Sequence, residues 1–115
     1  MSFADWNDVA AFALTLPGTR GSTSYGQPAI KVCDRMFVST GHEAGSFHVR
    51  SPHDEKVVLM ETDPDTFWQT THYANWPGLL VRYGGTDPDR IRAVIARAWW
   101  DQAGATLRKG YGDRP

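Results

Sequence analysis

Three short segments between residues 29 and 50 alternate apolar and polar side chains, and short turns separate them. A period of two places every second side chain on the same side of a β-strand. Strands joined by only two to five residues pair as antiparallel hairpins. The chain is therefore constrained to contain a three-stranded antiparallel meander. We predict strands at 29–33, 36–40 and 46–50, with turns at 34–35 and 41–45.

The alternation also assigns the two faces of this meander. In the third strand, Phe47 and Val49 are predicted to face inward, and the intervening polar side chains point to the other side. An antiparallel sheet with one buried face and one face in water has this pattern. We therefore expect an open, polar face that carries Ser46, His48 and Arg50.

Helical patterns flank the meander on both sides. Apolar residues recur at helical spacing over residues 3–16 after Ser2, and Ser51-Pro52 predicts a helix that ends near Thr62. Strands that do not alternate strictly with helices favour an α+β fold, in which helices cover one face of an antiparallel sheet. The remaining predictions are a loop over 19–28, a helical turn over 64–68, a strand over 79–83 and a last helix from Thr86 or Asp87.

Length, charge and cysteine content exclude several classes of protein. A chain of 115 residues has the length of a single domain. Its net charge of −1 gives no chain-wide basic surface for nucleic acid or an anionic membrane. The single Cys33 excludes an internal disulfide and is predicted to be a small core residue in a protein from a reducing compartment. No run approaches the ~18 apolar residues of a membrane span. We expect a cytoplasmic protein that does not bind membranes.

Catalytic and cofactor motifs are missing from the sequence. The four histidines do not have metal-ligand spacing, and no cysteine or carboxylate cluster accompanies them. The glycines do not form a phosphate-binding loop, and no nucleophile is paired with a base at a known spacing. We therefore expect a protein that is not an enzyme, with no metal and no cofactor.

An aromatic block between Phe67 and Trp76 is the densest chemical feature of the chain. One interpretation is a plug that covers the sheet. The other is a surface or pocket for a ligand, since aromatic faces near arginine suit nucleobases and anionic groups. The candidate residues of this site are Trp68, His72, Tyr73 and Trp76.

Basic residues are concentrated in the predicted strands, whereas the middle helix is acidic. If the basic side chains share the open face of the sheet, they form a small cationic patch. Four phosphate contacts there would give weak binding, with a log–log salt slope of about −3.6. The candidate residues for nucleic acid or another anion are Lys31, Arg35, His48, Arg50 and Arg82.

The ordered set of motifs resembles the MmcQ/YjbR-like family of small bacterial proteins. The resemblance spans residues 3–109, and no single motif carries it. Its first half is Leu16-Pro17-Gly18, Tyr25-Gly26-Gln27-Pro28, Ile30-Lys31-Val32 and Met36-Phe37. Its second half is the block from Asp63 to Arg82, then Asp87-Pro88-Asp89 and Ala98-Trp99.

This resemblance implies a curved antiparallel sheet with helices on one face, similar to CyaY-like and secretion-chaperone-like domains. It also implies DNA binding, because the family is usually described as DNA-binding from its structural likeness to a double-wing DNA-binding module. The chain departs from relatives with a basic third strand, because Arg50 is the one fixed charge in 46–50.

Three functions follow as expectations for a single domain over residues 1–109 with a mobile tail over 110–115. The first is a non-enzymatic domain that binds DNA, weakly or locally, through the open sheet face. The second is a protein that binds or sequesters a small anionic or aromatic ligand with residues 67–76. The third is an adaptor for protein interactions that dimerises, so that the chain is either a monomer or a homodimer.

Overall fold

A six-stranded antiparallel sheet forms the centre of the structure, a computed structural model that describes residues 2–41 and 43–115. Its strands are β1 (Thr19–Ser24), β2 (Gln27–Val32), β3 (Arg35–Thr40), β4 (Ser46–Arg50), β5 (Phe67–Trp68) and β6 (Gly78–Arg82). The helices are α1 (Trp6–Ala13), α2 (His53–Thr62), α3 (Pro88–Gln102) and α4 (Ala105–Tyr111). The strands lie in the order β1-β2-β3-β4-β6-β5.

One hydrophobic core joins the helices to one face of this sheet. Phe47 and Val49 are fully buried in it, as their alternation predicted, together with Val81 of β6. On α3, Trp99 is fully buried, and its Nε1 donates a hydrogen bond to the carbonyl oxygen of Pro17 at 2.9 Å. Leu59 brings α2 into the same core. The predicted α+β fold with helices over one face is confirmed.

A β-bulge changes which side chains of β3 face the core. The pairing of β2 with β3 shifts between Ile30 and Lys31, so that β3 contains one extra residue. As a result the neighbouring Phe37 and Val38 are both fully buried. Met36 is left on the opposite face of the sheet, where it lines a groove.

The segment predicted as a loop over 19–28 is instead a hairpin of β1 and β2. Its register runs from Thr19 opposite Val32 to Ser24 opposite Gln27. The prediction was wrong because β1 is an edge strand made of glycine, serine, threonine and arginine. Such a strand buries little apolar surface, so its sequence shows no alternation of apolar and polar residues.

The turn between β2 and β3 lies one residue earlier than predicted. Cys33 and Asp34 have φ values of 51° and 61°, the left-handed conformation of both central residues in a type I′ hairpin turn. Cys33 is therefore exposed at a turn. The prediction that it is a small core residue was wrong, because the alternation of β2 stops at Val32.

Three further local predictions were wrong. Residues 64–68 do not form a helical turn, since Phe67 and Trp68 pair with β6 as the short strand β5. The first helix begins at Trp6 rather than near residue 3, with Asp5 as its N-cap; the Asp5 carboxylate accepts a hydrogen bond from the Asp8 amide at 3.0 Å. Similarly, the N-cap of α2 is Pro52 and not Ser51. The predicted end of α2 and the predicted start of α3 agree with the structure.

Residues 110–115 include the end of α4 and an arginine that pairs with two other helices. Helix α4 continues to Tyr111, and Arg114 pairs with Glu55 of α2 and Asp101 of α3. In the described part of the chain, no helix is long and apolar enough to cross a bilayer.

Candidate functional site

A groove of about 460 Å³ lies on the face of the sheet that points away from the helical core. Its floor includes Ser39 of β3 and its partner across the ladder, His48 of β4. Residues of the β1–β2 turn form one side. The other side is formed by residues 69–77, which connect β5 to β6 and which we call the aromatic loop.

The aromatic loop contributes a cluster of rings to the groove. Tyr73 lies at the centre of the cluster, edge-to-face with His48 at 4.8 Å and with His72 at 4.9 Å between ring centroids. Trp76 lies 5.8 Å from both Tyr73 and His48. These separations and angles are those at which aromatic rings attract each other. His48 is thereby covered and only 6% exposed, whereas His72, Tyr73 and Trp76 keep part of their surface open.

Hydrogen bonds within the loop fix its path. Residues Thr71–Tyr73 form a 3₁₀ turn, and the Trp76 amide donates to the Tyr73 carbonyl at 3.0 Å. The loop is tied to the start of α2 by the Ser51 amide, which donates to the Pro77 carbonyl at 3.0 Å.

A buried lysine lies behind the aromatic loop. Lys56 of α2 is only 2% exposed, and burial lowers the pKa of its ammonium group. Its Nζ donates to four backbone carbonyls between 2.8 and 3.3 Å away. They belong to Tyr73, Ala74, Trp76 and Gly78.

The opposite side of the groove carries a single exposed ring. Tyr25 is 99% exposed at the tip of the β1–β2 hairpin, where its φ of 51° and that of Gly26 at 78° form a left-handed turn. A bulky side chain rarely adopts this backbone conformation, and an exposed ring adds nothing to the core. Folding stability therefore does not account for a tyrosine at this position.

The floor between the two aromatic sides is polar. The Thr40 hydroxyl donates to the Gln27 side-chain oxygen at 3.4 Å, and the amide group of Gln27 has two N–H donors besides this oxygen. The hydroxyls of Ser24 and Ser39 line the same space. Among the described lining residues there is no Lys, Arg, Asp or Glu.

Two of the predicted phosphate-binding arginines lie at opposite ends of the ladder between β4 and β6. Arg50 pairs with Gly78 and Arg82 with Ser46, four residues apart, which is about 14 Å along the strand. Each guanidinium group stacks on a different tryptophan: Arg50 lies 5.8 Å from the centroid of Trp76, and Arg82 lies 4.7 Å from that of Trp68.

The candidate residues of the cationic patch lie at separate places on the described sheet, and the patch itself stays a prediction. Lys31 lies on β2, two strands away from β4, and Arg35 lies at the start of β3, the strand next to β4. His48 is covered by the aromatic loop, and Ser46 is buried because its hydroxyl accepts a hydrogen bond from the Nε1 of Trp68 at 3.0 Å. Alternation places side chains on a face correctly but does not show what covers that face.

The structure brings three of the four predicted aromatic residues into one site and separates the fourth. His72, Tyr73 and Trp76 line the groove, whereas Trp68 packs against Arg82 outside it. Sequence reasoning missed Tyr25 and Lys56. An aromatic residue directly before the glycine of a turn is the signal that identifies Tyr25, but a lysine in a helix gives no signal of burial.

Metal binding has no support in the described residues. Across 2–41 and 43–115, no group of three His, Cys, Asp or Glu side chains is arranged to hold an ion. The site is thus a groove between aromatic walls in a small α+β domain.

Comparison with known proteins identifies the family of this domain. A family model described as YjbR matches residues 14–100, so the chain belongs to the YjbR family. The crystal structure of the Deinococcus radiodurans protein DR2400, a DUF419 domain, is similar with a TM-score of 0.75. That similarity covers 94% of this chain and 85% of the other at 14% sequence identity, and shows a shared fold. No curated protein matches the chain.

Proposed function

We propose that this YjbR-family domain is a non-enzymatic binding protein whose groove holds a planar heteroaromatic ring of the nucleobase class. The observation that carries the proposal is the pair of aromatic walls across one polar floor. Tyr25 forms one wall, and the aromatic loop with Tyr73 and Trp76 forms the other.

The width of the groove suits a single ring between the two walls. The β1–β2 turn that carries Tyr25 adjoins β2, and Tyr73 of the aromatic loop packs on His48 of β4. Strands β2 and β4 are two strand spacings apart, or about 10 Å. A ring stacked between two aromatic side chains needs about 9–14 Å, which is twice the usual centroid separation. The volume of about 460 Å³ also falls within the range of small-ligand sites, about 300–1,000 Å³.

The polar groups of the groove favour a neutral ligand with donors and acceptors on its edge. Ser24, Ser39 and Thr40 supply hydroxyls, and Gln27 supplies an amide. A nucleobase presents such an edge together with two faces for stacking. The described lining offers an anionic group no lysine or arginine.

The ring can come from a free nucleoside or from an unpaired base of single-stranded DNA. The DNA source is favoured by the β2–β3 hairpin, because Lys31 pairs with Met36 of the groove and Arg35 is exposed beside it. Two phosphate contacts on a single strand give a log–log salt slope of about −1.4, less than half of that expected for a four-residue patch.

Titration of the intrinsic tryptophan fluorescence tests this function with three probes: adenosine, a ten-residue deoxythymidine oligomer and a DNA duplex. We expect the first two to bind and quench Trp76, with the oligomer alone showing the salt slope. Tyr25→Ala is expected to weaken binding about 5- to 150-fold, since stacking of a base is worth about 1–3 kcal/mol.

Tyr111→Ala is the matched control, because Tyr111 is an exposed tyrosine on α4 outside the groove. The proposal is wrong if none of the probes binds, if only the duplex binds, or if Tyr111→Ala weakens binding as much as Tyr25→Ala does. Binding of adenosine without the oligomer would assign the groove to free nucleosides.

A further inference from the structure

Lys56 is buried although hydrophobic packing does not account for a lysine at this position. A lysine is rarely buried without a carboxylate partner, because removing its charge from water is costly unless hydrogen bonds replace the hydration. No ion pair involves Lys56 among the described residues; its ammonium instead faces only backbone carbonyls. Three N–H donors meet four acceptors, so every donor has a partner.

All four carbonyls belong to the segment that builds the groove. Three of them, at Tyr73, Ala74 and Trp76, lie in the aromatic loop, and the fourth, at Gly78, begins β6. The shortest of these bonds, 2.8 Å, goes to Trp76, whose ring is one of the walls. The carbonyls of Tyr73 and Ala74, at the end of the 3₁₀ turn, both point to the ammonium group.

We propose that Lys56 is the positioning residue of the groove: its ammonium group gathers the carbonyls of the aromatic loop and thereby holds Tyr73 and Trp76 against the sheet. Apart from the bond between the Ser51 amide and the Pro77 carbonyl, the backbone hydrogen bonds found for the described loop residues are short-range. The ammonium contacts three backbone carbonyls of the loop and the carbonyl of Gly78 directly after it. This rests on the proposed function only where it concerns ligand affinity.

Hydrogen exchange in the absence of ligand tests the proposal directly. Lys56→Met keeps the length of the side chain and removes the charge and the donors. We expect exchange of the Ser51, Trp76 and Gly78 amides, which bond to or within the aromatic loop, to accelerate at least tenfold relative to core amides of β4. Lys109→Met, the same substitution at an exposed lysine of α4, should change none of these rates.

Lys56→Arg provides the rescue experiment. Its guanidinium keeps the charge and several donors, but a planar group fits four converging carbonyls less well than an ammonium group does. We expect loop exchange between that of the wild type and that of Lys56→Met. If Lys56→Met does not fold, Lys56→Gln and Lys56→Arg report on the same amides. Wild-type loop exchange in the folded variants, or equal acceleration of loop and core, would overturn the proposal.

Adenosine affinity separates this proposal from the proposed function. If the wild type binds adenosine, Lys56→Met should raise the dissociation constant at least tenfold, and Lys109→Met should leave it unchanged. An unchanged affinity in Lys56→Met contradicts the positioning role. If the wild type does not bind adenosine, the proposed function fails, and the exchange measurement alone decides the role of Lys56.

Discussion

The two faces of the central sheet are both covered, but by different means. On one face, helices α1 and α3 bury aliphatic and aromatic side chains completely, as at Phe47 and Val49. On the other face, partly exposed rings of the aromatic loop cover His48, and a groove lies beside them. The first face provides stability through apolar area, and the second is shaped by ring contacts and one buried charge. We infer that folding depends mainly on the first face and ligand binding on the second.

The largest expected effect separates the two faces by stability. Phe47→Ala removes a fully buried ring and should lower the free energy of unfolding by about 3–5 kcal/mol. Tyr73→Ala removes a partly exposed ring and should lower the free energy of unfolding by only about 1–2 kcal/mol. Urea denaturation of both variants measures the difference. Equal losses would show that the groove face is as important for folding as the core.

An intermediate effect is expected at Gly78, where the start of β6 lies against the ring of Trp76. A Cβ at this position would overlap the ring of Trp76 and lie 2.6 Å from the Val49 carbonyl oxygen. Gly78→Ala should therefore cost about 1–3 kcal/mol and displace Trp76, changing its fluorescence spectrum. Gly21→Ala is the control, because a Cβ there meets nothing within 4 Å. An unshifted Trp76 spectrum in Gly78→Ala would be evidence against close packing of this loop.

The smallest effect is expected at the edge of the molecule, away from both faces. The guanidinium of Arg114 lowers the pKa of the Glu55 carboxyl below its usual value of 4.5. A carboxyl with a lowered folded-state pKa stabilises the fold above its unfolded pKa, and this contribution disappears as the pH falls through the folded value. Because the pair is near the surface, Arg114→Ala should cost less than about 1 kcal/mol at pH 7.

The pH dependence of that difference is the check. The free energies of unfolding of the wild type and of Arg114→Ala should converge as the pH is lowered below 4.5. A gap that persists in acid would mean that Arg114 acts through packing rather than through its charge. Adenosine binding should be the same in both proteins.

Much of the fold follows from patterns that are local in sequence. Alternation located β2, β3 and β4, an apolar segment located β6, and Pro88 in a first helical turn located the start of α3. The missed elements lack such patterns: β1 is a polar edge strand, and β5 contains two residues whose pairing with β6 is set by the rest of the sheet. Cys33 was misplaced because a type I′ turn falls inside a segment that alternates like a strand.

The site was predicted in composition but not in arrangement. The density of rings between residues 67 and 76 identified the aromatic loop. The wall at Tyr25 and the cation at Lys56 depend on contacts across 17 or more residues of chain, which no local pattern encodes. The positions of Arg50 and Arg82 at opposite ends of the β4–β6 ladder depend in the same way on the register between these two strands.

The most direct test of ring binding in the groove is residue-resolved NMR titration with adenosine. We predict that the largest chemical-shift changes occur on both sides of the groove at once, at Tyr25 and Gln27 and at Tyr73 and Trp76. Core residues such as Val49 and the α4 residue Lys109 should shift little. Shifts confined to one wall, shifts centred on Arg50 or Arg82, or no shifts at all would contradict a ring held between two aromatic walls.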